Sequence, residues 1–172
     1  MLAHVMDRLQ PQVLGLALNA NGDAARFAAF GLPVIPDTIP NNPGPLAGIL
    51  AGLEWAARDY PSAADIVTIP ADAPFIPDNL ILALLEARDR AGACMAIAAS
   101  GGRLHPVIGL WPVTLATSLR QAIIEDGTQK VSDFVDRQAA AVADFPAAAF
   151  DPFHNVNTEA DRLHAERFLA GE

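Results

Sequence analysis

The 172 residues carry 20 acidic against 11 basic side chains, a net charge of -9. That balance disfavours an electrostatic grip on polyphosphate backbones, so no nucleic-acid partner is expected. Hydrophobic residues make up 52% and charged ones 18%, which excludes an acidic disordered chain and supplies the core of one domain over 1–172. Lys130 is the single lysine and the other cations are Arg, a scarcity that bears on phosphate chemistry. One cysteine, Cys94, excludes an internal disulfide and a Cys-based zinc site, and its apolar setting AGACMAIAA predicts a buried structural thiol. No run approaches the ~18 apolar residues a membrane span needs. MLAHVMDRLQPQ lacks the basic and apolar regions of a signal peptide. The expectation is a soluble, cytoplasmic protein with no membrane partner.

In chain order, Leu2, Val5, Met6 and Leu9 recur at helical spacing with no capping residue before them. VLGLALNAN (13–21) reads as a buried strand, DAARFAAFG (23–31) as a short helix closed by Gly31, and LPVIPD (32–37) as a second strand. A proline-rich loop leads into a helix over 45–60 with Pro45 in its first turn. ADIVTIPAD (64–72) reads as a strand and 78–92 as a helix ended by Gly92. GACMAIAAS (92–100) and HPVIGLWP (105–112) read as strands joined by a GGR turn. Helices follow over 113–127 and 130–138, a strand over 140–146, and a last helix over 157–171. Short apolar strands alternating with longer helices predict a three-layer α/β/α, Rossmann-like, mostly parallel sheet. Ligands of such sheets bind beyond the C-terminal ends of the strands.

The first strand ends in Asn19-Ala-Asn21-Gly22-Asp23. The paired donor and acceptor of Asn19 suit a base or ribose edge, and equally an Asx-turn into the next helix. The second ends in Asp37, followed by a loop in which Gly44 and the Pro45-led helix start suit an anion. Gly48 and Gly52 can instead serve helix–sheet packing. The third ends in Pro70-Ala71-Asp72-Ala73-Pro74. A carboxylate between prolines at the tip of a buried strand suits Mg²⁺ bridging to nucleotide phosphates; the alternative is a turn aspartate capping the next helix. His105 has no partner at metal-ligand spacing and reads as a pocket-lining or loop residue. Asn157 reads as a helix cap, which leaves Asn155 unexplained. No Ser-His-Asp order, GxSxG, HExxH or GxGxxG occurs.

The segments NANGD (19–23), VIPDTIPNNPGPLAGILAGLEWA (34–56), TIPADAPFIPDNL (68–80), RLHPVIGLW (103–111) and FHNVNT (153–158) together resemble the molybdenum cofactor guanylyltransferases, the MobA-like branch of the nucleotidyltransferases. They span most of the chain in the family's order. The resemblance implies the fold of nucleotide-diphospho-sugar transferases and transfer of GMP from GTP to molybdopterin-bound molybdenum cofactor, with release of pyrophosphate. By position it implies that Asn19 and Asp37 contact the nucleotide and that Asp72 is catalytic and binds Mg²⁺. Gly44 and Gly48 would shape the site, and Asn155 and Asn157 would lie near the cofactor or the phosphates. The partners implied are these small molecules, with transient contact to cofactor-biosynthesis or acceptor proteins.

Members of the family begin with a strand and a Gly-rich phosphate loop, and this chain opens at the helix that follows them. The expectation is that the functional protein starts about thirty residues earlier and that the 172-residue chain alone is impaired. The alternatives are cytidylyl or sugar-phosphate transfer and, in another class, a non-catalytic remnant that binds pterin cofactor or a partner protein.

Overall fold

The computed structural model describes residues 1–40, 44–147 and 151–155. Helix α1 is Leu2–Leu9 and, as its sequence foretells, has no side-chain cap. Strand β1 is Leu18–Asn19 and β2 is Val34–Ile35, with a 3-10 helix, Ala24–Phe30, between them. Helix α2 is Pro45–Asp59, β3 is Asp65–Thr68, and α3 is Leu80–Ala91. Strands β4 (Ala96–Ser100) and β5 (Arg103–Pro112) are followed by α4 (Ala116–Ile124), α5 (Val131–Arg137) and β6 (Ala141–Phe145). The last helix expected from the sequence, over 157–171, lies outside the described residues, as does Asn157.

Four strands form one sheet in the order β3-β5-β4-β6, while β1 and β2 pair in parallel as a separate ribbon. Strand β5 is antiparallel to both β3 and β4, and β6 is parallel to β4. Strands β3, β4 and β6 therefore share a direction and β5 alone runs against them. The cause is the two-residue link between β4 and β5, far too short for a parallel crossover.

Side chains alternate across the sheet and fill one core on each face. Ala96, Ala98, Ile108 and Leu110 meet Val5 and Leu9 of α1 and Leu80 and Leu84 of α3. Ile97 and Trp111 meet Leu46, Ile49, Leu50 and Leu53 of α2, Leu119 of α4 and Phe134 of α5. This is the three-layer α/β/α arrangement. Truncating one of the fully buried leucines to Ala costs about 2–5 kcal/mol. The buried indole of Trp111 donates to Thr68 Oγ1 at 2.8 Å, and that hydroxyl donates to the Val107 carbonyl at 2.6 Å. Arg88 of α3 pairs with Asp65 at the start of β3, 2.8 Å apart. The hydrogen bond that Arg88 donates to the Asp65 carboxylate raises the guanidinium above its ordinary value.

Two expectations need correction. Strand β1 spans two residues rather than the whole apolar run 13–21, because its one described ladder partner, β2, is itself two residues long. Cys94 is exposed. It sits in the turn between α3 and β4, before the buried stretch begins at Met95, and its thiol lies 3.7 Å from the Gln138 carbonyl.

Candidate functional site

Strands β1 and β2 run in parallel with Leu18 opposite Val34 and Asn19 opposite Ile35, so their C-terminal ends deliver polar residues side by side. Asn19 Nδ2 donates to Asp37 Oδ1 at 2.9 Å and to the Ile35 carbonyl at 3.1 Å. Asn21 Nδ2 donates to Asp37 Oδ2 at 2.7 Å, and the Asp37 amide donates back to Asn21 Oδ1 at 2.9 Å. Both carboxylate oxygens of Asp37 are thus occupied by the two asparagines. Asn21 is a member of this cluster that the sequence reading did not single out as a site residue. Its signal is the i, i+2 spacing from Asn19 around a strand end. Asp23, by contrast, is a helix cap: its Oδ1 accepts from the Ala25 amide at 2.9 Å.

Helix α2 enters against this cluster. Gly44, its N-cap, has φ 136°, a conformation that L side chains rarely adopt. Pro45 then opens the first turn without an N–H of its own, and the Ala47 amide donates back to the Gly44 carbonyl at 3.3 Å. A Cβ on Gly48 would collide with Asn19 Oδ1. The missing side chain at 48 is what lets Asn19 lie against the helix. Gly52 answers to packing instead, since a Cβ there would stand 3.1 Å from Ile66 Cδ1. Lys130 is exposed and follows Gln129, whose carbonyl lies 4.0 Å from the position a Cβ on Gly44 would take. The lysine therefore neighbours the start of α2 while lying far from it in sequence.

Asp72 occupies a turn beyond the end of β3 and is half-buried. Among the described residues it has no hydrogen-bond or ion-pair partner. It does not cap α3: the N-cap is Asn79, without a side-chain bond, and Asp78 pairs with Arg8 at 3.2 Å. A partly desolvated, unengaged carboxylate at a strand end fits a hard divalent cation that draws its other ligands from phosphates and water. Among the described residues no group of three or more His, Cys, Asp or Glu could hold a metal by itself.

Two cavities flank the end of β3, and Pro70 lines both. The larger, about 620 Å³, runs between β1 and β3, with Asn19, Gly48 and Ala71 in its wall and apolar side chains of α1 and α2 around it. The smaller, about 470 Å³, is lined by Arg103, His105, Asp151, His154 and Asn155 among others. Asn155 therefore lines a different cavity from Asn19. Behind the wall of the smaller cavity, buried Ser100 Oγ lies 2.8 Å from His105 Nε2 and donates to Asp151 Oδ1 at 2.7 Å. The Phe153 amide donates to the same carboxylate oxygen at 2.9 Å. Burial pushes His105 below its ordinary value; Asp151 opposes this and Arg103 adds to it. Burial works to raise Asp151, but the Ser100 and Phe153 donors, with His105 and His154, hold it below the usual carboxylate range.

The chain is similar to known proteins in sequence and in fold. Residues 1–142 match the family model described as "MobA-like NTP transferase domain". A "Molybdenum cofactor guanylyltransferase" of Rhodopseudomonas palustris is 52% identical over 167 residues, covering 97% of this chain and 80% of that protein. One from a Bradyrhizobium species is 49% identical, covering 100% of this chain and 81% of that protein. Among solved structures, a molybdopterin-guanine dinucleotide biosynthesis protein A from Archaeoglobus fulgidus superposes with a TM-score of 0.71 at 21% identity, covering 99% of this chain and 85% of that one. A 4-diphosphocytidyl-2C-methyl-D-erythritol synthase from Anaerococcus prevotii does so at 0.72 with 11% identity, covering 98% and 85%. Those last two likenesses concern the fold.

Proposed function

The chain belongs to the MobA-like NTP transferase family and is a nucleotidyltransferase, and from that premise we propose that it transfers GMP from GTP to the phosphate of molybdopterin-bound molybdenum cofactor. In the reaction an oxygen of the acceptor phosphate bonds to the α-phosphorus of GTP. The bond to the bridging oxygen breaks, and pyrophosphate leaves with that electron pair. The names of the relatives support the substrates. The observation that carries the chemistry is Asp72, a half-buried carboxylate at a strand end with no protein partner among the described residues.

Within this reading Asn19 holds the guanine nucleotide. Its Nδ2 is committed to Asp37 and Ile35, which leaves Oδ1 to accept an N–H from the base. Asp37 and Asn21 hold that amide in one orientation, and Gly48 leaves room beside it. The start of α2 after Gly44 turns the positive end of the helix dipole toward phosphate oxygens. Asp72 would hold Mg²⁺, which supplies charge neutralisation on the phosphates when bound. Most of the rate enhancement then comes from fixed geometry and electrostatics. Asn155, in the wall of the smaller cavity, would lie on the acceptor side of the site.

The reading extends to the larger cavity. Among the described residues β1 and β3 each have one strand partner, and both line that space. Helix α1 and helix α2 supply apolar walls. An extended apolar strand laid there would join the ribbon to the sheet and give both strands a second partner, each backbone group otherwise left unpaired costing about 1–3 kcal/mol. This supports the expectation of a further strand in the functional protein. A form extended through the upstream reading frame should melt higher and bind GTP more tightly than the 172-residue chain; equal behaviour removes this part of the reading.

Pyrophosphate release, measured with cofactor, Mg²⁺ and either GTP or CTP, tests the transfer itself. GTP-dependent release sustains the proposal, release with CTP alone redirects it to cytidylyl transfer, and none from an extended form identifies a non-catalytic binder.

A further inference from the structure

Ser100, His105 and Asp151 bring together the side chains of a hydrolytic triad, but in the wrong order for one. In a triad the histidine stands between hydroxyl and carboxylate and takes the hydroxyl proton. Here the hydroxyl stands in the middle, its proton goes to Asp151, and Ser100 is 1% exposed. No attacking oxygen is available.

The same arrangement fixes a proton elsewhere. A serine hydroxyl has one hydrogen to donate, and an ionised carboxylate only accepts. Asp151 is ionised well into the acid range, held there by the donors that offset its burial. With its hydrogen committed to Asp151, Ser100 Oγ can only accept from His105 Nε2, 2.8 Å away. Neutral His105 must therefore carry its proton on Nε2, leaving Nδ1 bare. Phe153 packs on the ring with centroids 5.0 Å apart and holds its plane, while the Phe153 amide braces the carboxylate. Among the described residues Nδ1 has no hydrogen-bond partner.

The placement gives that lone pair a use. The pairing Thr68 opposite Gly109 puts the Pro70–Asp72 turn and the His105 end of β5 beyond the same end of the ladder. The cavity that His105 lines shares Pro70 with the one that holds Asn19. Arg103 also lines it and is exposed, so an anionic molecule meets a cation at the entrance.

We propose that His105 is a specificity residue for the acceptor substrate: Nδ1, kept bare by Ser100 and Asp151, accepts an N–H from a nitrogen heterocycle whose anionic group meets Arg103. This rests on the transfer reading above and names the group that would recognise the pterin part of the acceptor. A molecule offering only hydroxyl oxygens or apolar surface gains less from a fixed acceptor beside a cation.

Imidazole ¹⁵N NMR on the full chain near pH 7 tests the tautomer without any substrate. Protonated Nε2 and bare Nδ1 are expected, shifting to a mixture in Ser100→Ala and restored in Ser100→Thr. Acceptor affinity tests the use. His105→Phe keeps a ring against Phe153 and should weaken molybdopterin binding by about tenfold, the worth of one hydrogen bond, with GTP binding unchanged. His105→Asn, whose amide can donate to Ser100 and still accept, should recover part of the loss. A protonated Nδ1 in the wild type, or equal molybdopterin binding by wild type and His105→Phe, overturns the proposal. A wild type that binds GTP but no molybdopterin overturns the transfer reading instead, and with it the ligand named here, while the NMR result on the tautomer stands by itself.

Discussion

Asp37 and Asp72 stand at equivalent places in the fold, each just past the C-terminal end of a strand, yet they are opposites. Asp37 has an asparagine on each carboxylate oxygen. Asp72 has no partner among the described residues. A carboxylate whose lone pairs are occupied by protein donors organises its neighbours, and one that is partly desolvated and unengaged is available to a ligand. The same residue type in the same topological position therefore divides into an internal brace and a carboxylate left open.

The contrast is sharpest in Asp72→Asn. Under the proposed transfer, loss of that charge should lower pyrophosphate release by about 10²–10³-fold, while thermal melting moves by less than ~0.5 kcal/mol because no described protein interaction is broken. A large stability loss would place Asp72 with Asp37 and break the distinction. Asp37→Ala should show the converse balance. Freed amides on Asn19 and Asn21 cost about 1–2 kcal/mol in melting, and the apparent KM for nucleotide rises by about tenfold with a smaller change in kcat. Gly48→Ala should act on Asn19 alone, raising that KM by roughly three- to tenfold. Gly52→Ala meets a flexible isoleucine end and should leave KM unchanged and stability within about 1 kcal/mol.

The smallest effect concerns pH. A histidine held below its ordinary 6.5 in the folded chain takes up a proton more readily when unfolded. Its contribution is full above that value and declines as the pH falls through it. Asp151, held below its ordinary 3.8, contributes fully above that value and loses its contribution as the pH falls through the lowered folded one. Melting measured from pH 8 to 4 should be level at first, then decline shallowly below about 6.5, with that first decline absent in His105→Asn.

The helices were legible because their signals are local. Pro45 opens α2 and Gly92 follows α3, and the apolar residues between fall at helical spacing. The hairpin was legible from its GGR turn, although the reversal it forces on β5 shows only once β3 is paired. Strand lengths were overread. Val13 to Ala17 line a cavity instead of pairing with a described strand, Leu16 packs against the core that holds Val5 and Leu9, and Leu14 stays exposed. Cys94 was misread from its neighbours, since burial begins one residue later. The open carboxylate of Asp72 at a strand end was legible from its place between prolines. The bracing of Asn19 was not, because Asp37 reaches it only through parallel pairing across 18 residues. Ser100 and Asp151 are 51 residues apart and joined by hydrogen bonds that no local pattern encodes.

The tip of the β4–β5 hairpin follows from the one reversed strand. Gly101 and Gly102 both have positive φ, 55° and 78°, and both are exposed. They stand between Ser100 and Arg103, which close the ladder at the cavity rim. Residues added between them would lengthen a finger over that cavity without altering the register of either strand. Growing or trimming that single loop would reshape the cavity rim while the sheet and the Asp72 turn stay as they are.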